Sequence, residues 1–303
     1  NMITVAAPNT PLPMRARADV QCDNINDSII IQGVLDGLSA SGSGLYFYEG
    51  TYYLHGLTLP YGVVLEGAGA QGLGVTRLIL DADGAMFKPK YGVVQMKLAN
   101  MALDGAGRTG SGFVGRPYAS LFDNLYVANF KTDGLNFTDP GADSLSTVRD
   151  CWFDGCKTGL RILNCHDVRV TGCKFFSAGG ISLHLSSSAY CMVDGNLFGQ
   201  PATAVGVDAV FYGSGPLSGL RMTDNVFSSD TADGTALPYV ILITNQGDLG
   251  AGGVLVSGNF VNLDGKAGTN VSLAVIQVNG TPARKRTDVQ ILNNTMVGLK
   301  APA

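Results

Sequence analysis

The feature that most constrains this 303-residue chain is a short pattern that returns eight times. Aligned on one Asn or Cys, the copies read KLANMAL (Asn100), LFDNLYV (Asn124), TVRDCWF (Cys151), RVTGCKF (Cys173), MVDGNLF (Asn196), RMTDNVF (Asn225), LVSGNFV (Asn259) and QILNNTM (Asn294). The steps between them drift from 22 to 35 residues. A period of this size, drifting upward, marks a solenoid with loops inserted between its turns. Within a unit the apolar residues alternate with period two, as in Val168 and Val170 and then Ile181 and Leu183. That is strand patterning, and no unit leaves room for a crossover helix. The architecture that stacks such units is a single-stranded parallel β-helix, an all-β solenoid whose rungs lie ~4.8 Å apart. Like residues then stack along the axis. Asn suits an internal stack because its amide both donates and accepts. Cys151 and Cys173 interrupt the series, either as a pair of stacked buried thiols or as a disulfide between adjacent rungs.

Composition agrees with many tight turns between short strands. Glycine contributes 41 residues, and Glu49 and Glu66 are the only glutamates among 24 acidic residues. Asp and Gly favour turns, whereas Glu favours helices. A charged fraction of 15% and a net charge of −4 lack the basic stripe that a nucleic-acid partner requires. No run of 18 apolar residues is present, so no membrane span is expected. No basic-then-apolar signal peptide opens the chain, and Asn1 ahead of Met2 reads as a cloning remnant. The six cysteines form no C-x-x-C pair and are expected to be reduced and mostly buried.

Three regions are expected: an N-terminal extension over 1–17, a capping helix with strands over 18–55, and one continuous β-helix over 56–300. A solenoid needs its open end covered. Residues 26–38, NDSIIIQGVLDGL, read as that helix, with Asn26 or Asp27 as N-cap and Ile30, Ile31, Val34, Leu35 and Leu38 as its apolar face. LYFYEGTYYL then reads as paired strands, and LTLPYGVVLEGAG as the first rung.

Residues 18–69 resemble the opening of the pectate-lyase-like superfamily of right-handed β-helices. The match rests on Asp27, Ile31-Gln32, Gly50-Thr51-Tyr52 and Leu65-Glu66-Gly67-Ala68-Gly69. The resemblance implies a right-handed coil and a polysaccharide partner. It extends to phage tailspikes and tail-associated depolymerases, which are usually homotrimers, and to secreted polysaccharide enzymes. The location it implies is extracellular, at a cell surface or on a virion tail. The superfamily's polygalacturonase motifs are missing: Arg161-Ile162 lacks the following Lys, and Asp139-Pro140 is all that remains of an epimerase Asp-Pro-His-Glu. No cofactor is expected. Calcium is the one ion the resemblance allows, but the DADG at 81–84 is too short to define a site.

The substrate groove of this superfamily usually runs along one sheet, here built by the second alternation of each rung. Its inward residues are expected to be Leu135 and Phe137, Leu160 and Ile162, Ile181 and Leu183, then Val207 and Ala209. The outward residues are then Asn136, Arg161, Ser182, His184 and Asp208, with Thr244 and Gln277 in later rungs. Hydrolysis needs two carboxylates ~5–9.5 Å apart. Asp208 is one candidate, but Asp133, at the turn before its rung, is three rungs or ~14 Å away. Elimination instead needs a base and a cation for the developing enolate, which suits His184 and Arg161. Asn136, Ser182, Trp152 and Gln277 are candidates for holding sugar, Trp152 through its ring face. A carbohydrate-cleaving enzyme, hydrolase or lyase, is the favoured reading. The alternative is a tail fibre or adhesin module that binds a glycan without cutting it.

Overall fold

The computed structural model describes residues 2–38, 42–176, 180–199, 209–214, 217–228, 239–246, 253–262, 274–280 and 289–297. The chain coils as a parallel β-helix: among the described residues every strand-to-strand pairing is parallel. Two sheets result, one of 20 strands and one of 10. Each regular rung crosses the large sheet in two short strands, such as Arg169–Thr171 and Lys174–Phe176, and then the small sheet in one, such as Ile181–Ser186. No helix among the described residues is long and apolar enough to cross a membrane.

The bend inside the large sheet has a local cause. At this bend one residue per rung sits at positive φ: Asn100, Asn124, Asp150, Gly172, Gly195, Asp224, Gly258 and Asn293. Gly, Asn and Asp tolerate that conformation best. The residue that follows points inward. Strand register pairs Met101 with Leu125 and Trp152 with Lys174, so the inner column runs Met101, Leu125, Cys151, Cys173, Asn196, Asn225, Asn259, Asn294. This corrects the sequence alignment by one position at its start. Asn100 and Asn124 belong to the bend column, where the Asn124 amide donates to Asn100 Oδ1 at 2.9 Å.

The inner asparagines form a continuous ladder. Asn196 Nδ2 donates to Asn225 Oδ1 at 3.0 Å, Asn225 to Asn259 at 2.9 Å, and Asn259 to Asn294 at 2.9 Å. Each backbone N–H in the series donates to the same oxygen of the next rung. The ladder thus satisfies polar groups at the centre of the coil, where an unmatched amide would be costly. Cys151 and Cys173 continue the column as buried thiols outside any disulfide, and the other four cysteines are likewise buried and not disulfide-bonded. Two residues further on, Phe153, Phe175, Phe198 and Phe227 stack with centroids 4.7–4.9 Å apart and planes within 6°. All four rings are buried, each stabilising the coil by about 1.5–3 kcal/mol.

The N-terminal region forms a helix at Asp27–Gly37, close to the expected span. Ile31 and Leu35 are buried, and Ile30, Val34 and Leu38 pack partly against the same core. The start of the helix works differently from the expected cap. Asn26 makes no side-chain capping bond, while buried Asp27 accepts from the backbone of Asp23, Asn24 and Tyr53. Gly44–Phe47 and Gly50–Leu54 do not pair with each other. They pair in parallel with Val63–Gly67 and Thr76–Leu80, as two sides of an earlier rung. Met2–Ala6, within the extension, adds a further parallel strand beside Gly44–Phe47.

Candidate functional site

The small sheet is built by Leu57–Leu59, Gly84–Pro89, Gly110–Pro117, Asp133–Asp143, Thr158–His166, Ile181–Ser186, Ala209–Ser214, Tyr239–Gln246 and Ala274–Gly280, with Val93–Val94 as a tenth strand beside Gly110–Pro117. In three of these strands, Leu135 and Phe137, Leu160 and Ile162, and Leu183 and Leu185 point into the core. Between them Asn136, Arg161 and His184 form one outward column, each the direct register partner of the next. Adjacent members are therefore one strand spacing apart, ~4.8 Å.

Arg161 is held by its neighbours. Its Nε donates to Asp133 Oδ1 at 3.0 Å, and a terminal nitrogen donates to Thr158 Oγ1 at 3.4 Å. Asp133 is buried, and its other oxygen accepts from Asn136 Nδ2 at 2.9 Å. Thr138 closes the chain by donating to Asn136 Oδ1 at 2.8 Å. The carboxylate is thus bound on both oxygens, and the guanidinium remains partly exposed on the sheet face. Beside it, burial and, secondarily, the positive charge of Arg161 lower the pKa of His184 from 6.5 to about 4. His184 is therefore a neutral imidazole at neutral pH, next to a fixed cation.

Other sequence candidates fall elsewhere. Ser182 was expected to face outward, but it is fully buried. It follows the corner residue Ile181, in the place that Gly159 and Gly134 take in the preceding rungs. Added Cβ atoms at those two glycines would press on Phe153, Phe175, Val127 and Cys156, so this position turns inward. Asp208 lies outside the described residues. Register gives the place beside His184 to Tyr212, followed by Leu242 and Gln277. Gln277 thus occupies the expected column, and Thr244 is displaced from it by Leu242. Tyr212 was missed because the alternation placed Val207 and Ala209 inward, with Asp208 as the outward residue of this rung. The alternation in Ala209–Ser214 was the available clue. Lys88, one residue after the Phe87 that faces Phe113, adds a second cation at the N-terminal end of the column.

Trp152 is not on this face. It lies on the large sheet between Tyr126 and Lys174, with its ring 6.0 Å from Tyr126 and 5.5 Å from Phe176. No cluster of three His, Cys, Asp or Glu side chains among the described residues could hold a metal ion.

Residues 108–295 match the family model described as a right handed beta helix region. A search of curated proteins gave no match. Among solved structures, the ORF18 protein of Geobacillus virus E2 superposes with a TM-score of 0.54 at 14% identity, over 98% of this chain and 62% of that one. A pectate lyase, Pel9A, superposes with a TM-score of 0.53 at 14% identity, over 97% of this chain and 80% of that one. The chain thus spans less than two thirds of the viral protein. At such identities the likeness is one of fold.

Proposed function

Because the chain belongs to the right-handed β-helix family, we propose that it processes a polysaccharide along its small sheet, by β-elimination at an acidic sugar. The observation that carries this reading is the adjacency of Arg161 and neutral His184 in one register column. Elimination begins when a base removes the proton next to the uronate carboxylate. The negative charge that develops on that carboxylate needs a nearby cation. The glycosidic C–O bond at C4 then breaks, its oxygen leaves with a proton, and a C4–C5 double bond remains. His184 is in the protonation state a base requires, and Arg161 supplies the cation. Asp133 and Thr158 hold the guanidinium in place, and Asn136 in turn holds Asp133. Lys88 offers a second contact for an acidic polymer. Paired-carboxylate hydrolysis has less support: among the described residues of this column and its turn, Asp133 is the one carboxylate, and both its oxygens are engaged.

One observation favours a second reading, a face that holds a glycan without cutting it. The network from Thr138 through Asn136 and Asp133 to Arg161 is closed upon itself, as in a rigid binding surface. In either case the substrate lies outside cells, and we place the protein there, at a cell surface or on a virion tail. The test is a product assay on acidic capsular and plant polysaccharides. New reducing ends together with the ultraviolet absorbance of an unsaturated uronate are expected. Reducing ends without that absorbance would refute elimination, and glycan binding with neither signal would favour the second reading.

A further inference from the structure

A separate cleft lies on the far side of the coil, at the bend of the large sheet. The segment Gly67–Gly74 leaves the regular rung between strands Val63–Gly67 and Thr76–Leu80. Its Ala70 and Gln71 form one wall of a cleft of about 280 Å³, opposite Asn124, Asp150, Trp152 and Lys174. A cleft of this size takes roughly one sugar ring, at the low end of ligand pockets.

We propose that this cleft is a carbohydrate-binding site, distinct from the small-sheet column, that takes a single uncharged hexose unit. Three observations point to it. The wall is preorganised: the Trp152 ring is held between Tyr126, Phe176 and the Lys174 ammonium, which lies 5.1 Å from the ring centroid. Lys174, Tyr126 and Phe176 take up much of the ring, and the part of the indole that lines the cleft presents an apolar surface to the C–H groups of a sugar. Open polar groups surround it. Asn124 spends its amide N–H on Asn100, leaving Oδ1 as an acceptor, and no side-chain bond engages the Asp150 carboxylate among the described residues. The Trp152 Nε1 is buried and has no partner among the described residues. Finally, the lining is electrically balanced. Among the described residues, Asp150 and Lys174 are its only charged side chains. Hydroxyl groups can donate to the first and accept from the second, whereas a uronate would meet a carboxylate with no excess of positive charge. That is the opposite of the small-sheet column, where Lys88 and Arg161 give an excess of cations.

Trp152 is the only tryptophan in the chain, so its emission reports on the cleft alone. The full chain is titrated with methyl β-D-glucopyranoside, methyl β-D-galactopyranoside and methyl α-D-mannopyranoside, with galacturonic acid as the charged control. A saturable emission change with at least one neutral glycoside is expected, with a Kd of order millimolar for a ligand of that size. Asp150→Gly should weaken it at least tenfold. This variant is compatible with the fold, because Gly172 holds the same bend position in the next rung at φ +64°. Lys174→Met provides an independent second variant with the same expected loss. Arg161→Ala should titrate as the parent protein, which separates this site from the small-sheet reading. The proposal is overturned if no neutral glycoside gives a saturable change, if galacturonic acid binds as well, if both cleft variants bind normally, or if Arg161→Ala abolishes the signal.

Discussion

His184 shows how a single position couples chemistry and stability. Burial next to Arg161 keeps its imidazole neutral down to about pH 4. If it is the base, replacing it with Gln should lower turnover by about 10²–10⁴-fold while the protein stays folded, as read by product absorbance and circular dichroism. The acid limb of the parent's kcat/KM profile should then lie near pH 4 rather than 6.5. The same shift makes a prediction about folding. Between pH 6.5 and 4 the unfolded chain binds a proton at this position that the folded chain does not, so stability falls as the pH drops through that window. Urea unfolding at pH 7 and pH 5 should show a loss of about 1 kcal/mol, after allowing for solvent screening, that is absent in His184→Gln. An equal loss in the variant would assign the effect elsewhere. Sequence reasoning reached Asn136, Arg161 and His184 because each sits between two inward apolar residues. It missed the burial of Ser182, since alternation does not reveal where a strand turns a corner. It missed Tyr212, since alternation alone does not say which residues of that rung pair with Leu183 and His184.

Among the elements, the asparagine column carries specificity and the phenylalanine column carries apolar burial. Asn225 is bonded to the rungs on both sides: it accepts from the amide and backbone of Asn196 and donates to Asn259. Asn225→Ala should therefore leave unmatched donors and an unmatched acceptor in the interior and destabilise by about 2–4 kcal/mol. Asn225→Asp keeps the acceptor but buries a carboxyl group, so its deficit should be larger at pH 8 than at pH 5. A deficit independent of pH would mean that the site is open to water. Phe175→Ala breaks two stacked pairs at once and should cost about 3–5 kcal/mol by chemical denaturation. The ladder was legible from Asn196 onward, where a positive-φ residue and an inward Asn stand side by side, as in Gly195-Asn196 and Asp224-Asn225. It slipped by one at Asn100 and Asn124 because Asn serves equally well at the bend and inside it. Only the backbone distinguishes the two uses.

For the whole molecule, the repeat determined the fold because a strand-period unit of 22 to 35 residues can bury its apolar face only against another copy of itself. The paired strands expected at residues 45–54 turned out to be consecutive sides of one rung, since alternation alone does not say which strand is the partner. One buried cluster runs unbroken from Val5 through Cys22 and the central rungs to Val261. Nothing in that cluster divides the coil into separate cores, so it should lose structure cooperatively. The six cysteines offer a direct test, because all are buried thiols outside any disulfide and they sample both the N-terminal region and the rungs between Cys151 and Cys191. Burial also raises the thiols of Cys156 and Cys191 to about 12 and so holds these two in their unreactive form. Pulse alkylation across a urea series, read by mass spectrometry of the peptides, should find all six protected in native buffer and modified in a single transition. Modification of Cys22 at distinctly lower urea than the five others would instead show that the N-terminal rungs unravel on their own. The nearest-neighbour energetics of a solenoid would then dominate over the continuity of its core.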